Sequence, residues 1–328
     1  MNNIGIRDVA RLAGVSESTV SKVLKNYPNI SEKTRQKVMQ VIKETGYIPN
    51  AIASNLSSKA KNRIALYIYI NDKFQQIDEI NMLYLMGAFD VARKLNLELI
   101  TVFHDSIDHL SKEEYAAYFM SRSVDVIVVF GLNKEDEKIH YLMDNSNFKF
   151  VVIDAPIKND NISTLYINHT EGQYEVASRI VRNNDRVLYL AGKENGYVTD
   201  MRMEGIKKLA EERNCILDIE YGDFSEQKAY DIVRKAGENY DDIVCASDLM
   251  AIGAYKAIGK NNRVRISGFD GIRLMGYVGE DVITCRQDFY QIGRHAVYEA
   301  DNLKQGKETN EIIVPYEITK IKYKDIIS

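Results

Sequence analysis

Cysteine is scarce in this chain: Cys215, Cys245 and Cys285 are the only three in 328 residues. Their number is odd, they lie far apart, and no CxxC occurs. That excludes a disulfide framework or a zinc knuckle and predicts free thiols in a reducing compartment. Cys245 and Cys285 sit in apolar runs and are expected in the core. No window approaches the roughly 18 apolar residues of a membrane span. The N-terminal MNNIGIRDV lacks the apolar stretch of a secretory leader. The expectation is a cytoplasmic chain, neither exported nor membrane-bound. Enzymatic signatures are missing as well. The five histidines (104, 109, 140, 169 and 295) are scattered, with no HxxxH or HExxH. GxSxG, GxGxxG and GxxxxGK[ST] are absent. Acidic pairs such as Glu113-Glu114 and Asp241-Asp242 are sequence neighbours and read as solvated. No catalytic residue, metal or cofactor is expected.

Charge is distributed unevenly. The net charge is −4, which excludes bulk polyanion binding. Residues 1–61 hold ten Lys or Arg against four acids, a net of +6, and the remainder carries −10. A basic head on an acidic body fits a phosphate-contacting module joined to a part that need not touch nucleic acid. The stretch Ile6 to Leu24 reads as two short helices around a tight turn. Val9, Ala10 and Ala13 share one face of the first; Val20, Val23 and Leu24 share one face of the second, with Val15 at the corner. Gly14 sits where the chain leaves the first helix. Ser16 is placed to cap the second, with Glu17 just inside. The outward face then carries Ser16, Glu17, Ser18, Thr19, Ser21 and Lys22, groups suited to base edges and phosphates in a major groove. Ser31 opens a third helix with Val38, Val41 and Ile42 inward and Gly46 at its end. Lys33, Arg35 and Lys37 on it are candidates for phosphate contact.

The pattern D-V-A-x-x-A-G-V-S-x-x-T-V-S over Asp8–Ser21 resembles the DNA-reading unit of LacI/GalR-type bacterial transcription regulators. The resemblance implies that Tyr47-Ile48-Pro49-Asn50 leads into a hinge helix, with Asn50, Ser54 and Leu56 facing DNA and Leu56 wedging into the minor groove. Two departures stand out. Gly5 replaces the usual Thr or Ser cap of the first helix, and Ser54 replaces a common hinge arginine.

From Arg63 the texture changes to β-branched strands alternating with amphipathic helices. Strands are predicted at 64–70, 97–103, 124–130 and 150–154, then 186–191, 216–221, 243–245 and 264–269. Helices fall near 78–95, 111–122, 134–146, 170–183, 200–213, 226–237 and 249–259. Two rounds of near-continuous apolar strands mean two lobes with parallel sheets covered on both faces. The fold class expected is an all-α helix-turn-helix head (1–49), a hinge helix and linker (50–62), and an α/β two-lobed periplasmic-binding-protein-like body (63–328). The first lobe is expected at about 63–160 plus 290–315, the second at about 161–289 plus 316–328.

The same resemblance implies an effector cleft between the lobes. It assigns contacts to Tyr69, Asp154, Arg202, Phe224, Ser247 and Asp270, at strand ends where open α/β sheets bind ligands. Ser247 stands where the family often has Asn, and Gly271 where it often has a second Asp. The function implied is a sequence-specific regulator, a repressor of carbohydrate uptake or catabolism genes. It would act as a homodimer on a pseudo-palindromic double-stranded operator and respond to a sugar or sugar phosphate. The alternatives are control by a protein corepressor or a nucleoside, or a solute-binding protein without a DNA role. No leucine heptad follows the body, so a dimer is expected rather than a tetramer.

Overall fold

The computed structural model describes residues 5–24, 27–47, 63–69, 79–145, 148–157, 159–236, 239–259, 263–278 and 282–327. The head is three helices: α1 (Ile6–Ala13), α2 (Glu17–Leu24) and α3 (Glu32–Thr45). Gly14 takes the left-handed conformation, φ 62°, that lets α1 stop and the chain turn. The Ser16 hydroxyl accepts from Thr19 N at 3.2 Å, and the Ser31 hydroxyl accepts from Thr34 N at 3.2 Å. Gly5 has no side chain to cap α1, but the Asp8 carboxylate accepts from the Gly5 amide at 3.1 Å. Val9, Ala13, Val20, Val23, Leu24, Val38 and Ile42 close one small core, with Val15 packed against it. Each fully buried Val, Leu or Ile side chain there contributes about 1.5–3 kcal/mol.

The body begins at β1 (Arg63–Ile68) and continues through α4 (Glu79–Leu95), β2 (Glu98–Phe103), α5 (His104–Ile107), α6 (Lys112–Ser121), β3 (Val124–Phe130), α7 (Glu137–Asn145), β4 (Lys149–Ile153) and β5 (Ile162–Tyr166). A second round holds α8 (His169–Ser178), β6 (Arg186–Ala191), α9 (Tyr197–Glu212), β7 (Ile216–Tyr221), α10 (Glu226–Ala236), β8 (Asp242–Cys245), α11 (Asp248–Ile258) and β9 (Arg265–Asp270). After a 3₁₀ turn at Arg273–Val278 come β10 (Ile283–Gln287), α12 (Phe289–Lys304), β11 (Glu311–Ile313), β12 (Tyr316–Lys320) and α13 (Lys324–Ile327).

The strands form two six-stranded sheets, ordered β2-β1-β3-β4-β5-β11 and β7-β6-β8-β9-β10-β12. All pairs are parallel except β10 with β12. Each sheet reverses strand order beside its first strand, so each lobe has its own switch point, at β1/β3 and at β6/β8. The chain crosses between lobes after β5, after β10 and after β11. Helix α12 lies against α4 and the first sheet so closely that a Cβ on Gly87 would stand 2.0 Å from the Tyr290 carbonyl oxygen. Cys245 and Cys285 are fully buried and unbridged.

The predicted strands all form, with ends moved by one or two residues where they move, and the described residues hold four more. Strand β5 belongs to the first sheet, so that lobe runs on to Tyr166, beyond the expected break near residue 160. Its ISTLY sequence carries three hydroxyls in a short run; Ser163 is nonetheless buried, donating to Glu299 Oε1 at 2.7 Å. Strand β11 is three residues at a sheet edge, and β12 alternates polar and apolar as an antiparallel edge strand does.

Candidate functional site

On the head, Ser16, Glu17, Ser18 and Lys22 are exposed along one side of α2, and Thr19 is half-buried. Glu17 is ion-paired with Arg7 at 3.3 Å. The Ser16 hydroxyl also bonds those of Ser18 and Thr19, each at 2.8 Å, so capping and the outward face share atoms. One expectation on α3 needs correction. Arg35 points inward to the turn before its helix, donating to the Tyr27 carbonyl at 3.0 Å and to the Val23 carbonyl at 3.5 Å. It buttresses α2 rather than standing ready for a phosphate. Asn50, Ser54 and Leu56 lie outside the described residues.

In the body, all six cleft candidates line one cavity of about 210 Å³ between the lobes. Tyr69 follows β1 and Asp154 follows β4 in the first lobe. Phe224 follows β7, Ser247 follows β8, and Asp270 ends β9 in the second. The C-terminal ends of both sheets therefore face the same space. Three of these residues have left-handed backbones: φ is 59° at Asp154, 60° at Phe224 and 121° at Asp270. For non-glycine residues such conformations cost of order 1–3 kcal/mol, and they cluster where ligands bind. The Phe224 ring fits only because residue 192 is glycine; a Cβ there would come within 2.0 Å of Phe224 Cζ.

Arg202 is the hub. Projecting from α9 and only 3% exposed, it donates from Nη2 to Asp270 Oδ1 at 3.3 Å, from Nη1 to the Ala246 carbonyl, and from Nε to His169 Nδ1 at 3.3 Å. Its guanidinium also lies 3.7 Å from the centre of the Phe269 ring. Because His169 accepts at Nδ1, its proton is on Nε2, which donates to Asp154 Oδ1 at 2.9 Å. Burial lowers the pKa of His169, consistent with a neutral imidazole. Burial raises the carboxyl of Asp270 despite the opposing pull of Arg202. Gln287 Nε2 donates to the same Asp270 oxygen at 3.1 Å. Asp154, His169, Arg202, Asp270 and Gln287 thus form one continuous polar chain across the cleft floor.

Some polar atoms in the cleft wall have no protein partner. Among the described residues, Tyr69 Oη, Thr199 Oγ1 and Gln287 Oε1 are buried without a hydrogen bond. A buried donor or acceptor left unmade costs about 1–3 kcal/mol, so a hydroxylated ligand that reaches these atoms recovers that cost. Ser247 has a structural duty, capping α11 by accepting from Met250 N at 3.3 Å. Its neighbour Asp248 is wholly buried and accepts from Gly271 N, Ile272 N and Thr284 Oγ1 at 2.7–2.8 Å. That carboxylate pins the turn beneath Asp270.

The lobes are clasped across the cleft mouth. Asn133 and Gly196 form an antiparallel bridge, and Asn195 Nδ2 donates to Glu135 Oε1 at 3.1 Å. Lys134 pairs with Asp200 and lies 5.3 Å from the centre of the Tyr197 ring. At the other end the Glu79 carboxylate accepts from the Arg273 amide, at 2.9 Å and 3.0 Å. Sequence reading missed Thr199 and Gln287 in the cleft, His169 buried behind Asp154 and Arg202, and all of the clasp. His169 opens a helix directly after a strand, which is the one local cue it carried.

Comparison with known proteins agrees with this arrangement. Residues 5–50 match the family model of bacterial regulatory proteins, lacI family. The transcriptional regulator RegA of Clostridium saccharobutylicum is 28% identical over 320 residues, covering 93% of this chain and 94% of its own. Catabolite control protein A of Priestia megaterium is 28% identical over 313 residues, covering 90% and 91%. The solved structure of the regulator CelR with cellobiose superposes with a TM-score of 0.70 at 19% identity, covering 97% of this chain and 99% of that one. The lac repressor dimer bound to operator and the anti-inducer ONPF gives 0.65 at 20% identity, covering 98% and 99%. A helix-turn-helix head on a two-lobed α/β body defines the class, that of DNA-binding transcription regulators. Within it, residues 5–50 carry the lacI-type DNA-reading domain, and the chain is similar over nearly its whole length to regulators of this kind. Among the described residues no helix is long and apolar enough to cross a membrane, and no cluster of side chains could hold a metal ion.

Proposed function

We propose that this protein is a cytoplasmic repressor of carbohydrate genes. It acts as a homodimer on a pseudo-palindromic operator, and a sugar in the inter-lobe cleft sets its operator affinity. The carrying observation is the convergence of Tyr69, Asp154, Arg202, Phe224, Ser247 and Asp270 on one cavity whose mouth is clasped between the lobes. A ligand there touches both lobes at once, so it binds the closed arrangement better than an open one and shifts the equilibrium by that difference. On this reading Ser16, Glu17, Ser18, Thr19 and Lys22 contact the operator. Asn50, Ser54 and Leu56 belong to a hinge at 50–62 between the head at 1–49 and the body at 63–328.

A second copy is supported by α4. Met82, Met86 and Phe89 recur at helical spacing and are 58%, 54% and 49% exposed. An apolar stripe of that kind marks an interaction surface. The relatives named for catabolite control and for cellobiose support the carbohydrate assignment.

The test is selection of duplexes from a random library, followed by binding titrations at several salt concentrations. A palindromic consensus is expected, and Lys22→Ala should reduce the salt slope by about 1. Recovery of no consensus would overturn the reading of the head.

A further inference from the structure

The basic head carries a single acid on the outward face of α2. Residues 1–61 hold four acids: Asp8, Glu17, Glu32 and Glu44. Three of them bond groups at or within their own helix. Asp8 accepts from the Gly5 amide at 3.1 Å and from Arg11 Nη2 at 2.9 Å. Glu32 accepts from Gln36 Nε2 at 3.4 Å, and Glu44 from Gln40 Nε2 at 2.8 Å. Glu17 stands apart from these, on a face where DNA phosphates would repel it. Its partner comes from the other helix of the pair: Arg7 Nε of α1 lies 3.3 Å from Glu17 Oε1. The two side chains are 86% and 52% exposed, and ion pairs so open to water add little to stability. Bracing the head therefore does not account for the pair.

The neighbouring groups leave this carboxylate as the main acceptor on the face. The hydroxyls of Ser16, Ser18 and Thr19 bond one another, and that of Ser16 also caps α2. Lys22 can only donate. A carboxylate only accepts, so it favours a base edge that donates and is repelled by one that accepts. In the major groove guanine shows two acceptors, and thymine shows one. Adenine sets its N6 donor beside the N7 acceptor, whereas cytosine shows its N4 donor with no acceptor of its own beside it. Glu17 is the first residue of α2, and the N-terminal residues of the second helix reach base edges when a helix-turn-helix docks. Among the described residues Oε1 faces Arg7 and Oε2 has no partner. Arg7 thus offsets the charge that phosphates repel and fixes the direction of the carboxylate, leaving an oxygen to accept from a base.

We propose that Glu17, with Arg7 as its positioning residue, selects a cytosine at one position of each operator half-site. This rests on the head reading DNA through α2.

The experiment is selection from a random duplex library with the full chain, as wild type and as Glu17→Gln, Arg7→Ala and Arg7→Lys. Titrations of duplexes altered at one base pair then give the fold-changes. Wild type should prefer cytosine at one position of each half-site by about tenfold over the other bases. Glu17→Gln should turn that position to adenine, because an amide pairs with adenine N6 and N7, and should leave the other positions as they were. Arg7→Ala should cut the cytosine preference to about threefold or less, at that position only. Arg7→Lys should keep most of it, because a single contact joins the pair. A consensus unchanged by Glu17→Gln overturns the proposal. So does a Glu17→Gln protein that binds every duplex more tightly by the same factor, since the acid then only repels phosphates. Equal weakening of every duplex by Arg7→Ala, with a lower salt slope, makes Arg7 a phosphate contact and overturns its positioning role. Recovery of no consensus by wild type overturns the reading of the head, and the proposal falls with it.

Discussion

Replacing Arg202 by methionine removes a buried cation while nearly keeping its volume. Arg202 and Asp270 are 3% and 7% exposed, so the variant leaves a carboxylate with Gln287 as its remaining donor in a low-dielectric site. Removing one member of a buried pair costs about 3–5 kcal/mol, because the other is left uncompensated. The lost contact with the Phe269 ring adds about 1–2 kcal/mol where the cation is desolvated. One effect works the other way. The Asp270 carboxyl is already raised by burial, and without Arg202 it takes up a proton more readily, which limits the loss. A net cost of about 3–5 kcal/mol follows near neutral pH, smaller near pH 5. Asp270→Asn leaves the guanidinium uncompensated and should cost a similar amount. The double variant Arg202→Met/Asp270→Asn removes both charges and should recover at least about 1–2 kcal/mol relative to the sum of the singles. Urea unfolding followed by circular dichroism gives all four values. Singles within about 0.5 kcal/mol of wild type, or strict additivity, would refute the claim that this pair is the hub of the cleft.

Other perturbations test separate parts of the structure. Ser16→Ala removes the acceptor for Thr19 N and should cost the head about 1 kcal/mol, read as a lower melting midpoint of that domain. Gly87→Ala drives a Cβ into the Tyr290 carbonyl and should cost about 1–3 kcal/mol by denaturant unfolding; no loss would mean that α4 and α12 are not in backbone contact. Burial raises Asp242 from 3.8 to about 6, against the pull of Arg265. The folded chain therefore holds a proton there that the unfolded chain has released, and stability declines as pH climbs from about 4 to about 6. Asp242→Asn should flatten that decline in unfolding curves taken across the window, and an unchanged slope would assign it elsewhere.

How much of this was legible depended on whether the signal was local. The head was readable because its helices are short and their apolar faces, turn glycine and caps fall within two dozen residues. The body strands were readable where they are continuous apolar runs buried on both faces, as at Val124–Phe130. Strand β5 hid its buried Ser163 behind a partner 136 positions away, Glu299, which no window could see. The six cleft residues were named through resemblance, and their convergence follows from two sheets presenting their strand ends to one space. The neutral His169 between Asp154 and Arg202 could not be foreseen, because its tautomer is set by contacts from two other elements. Arg35 misled because a cation on an apparently outward face was free, on paper, to reach a phosphate, whereas in three dimensions the Val23 carbonyl of α2 and the Tyr27 carbonyl of the following turn claim it.

The most direct test of the central claim is the affinity of the full chain for its selected operator duplex, by fluorescence anisotropy, with and without a saturating sugar that binds the cleft. The account predicts a change of about tenfold or more in the wild type and none in Arg202→Met, with both proteins binding the duplex equally when no sugar is present. An operator affinity that does not move when the sugar is bound would contradict it.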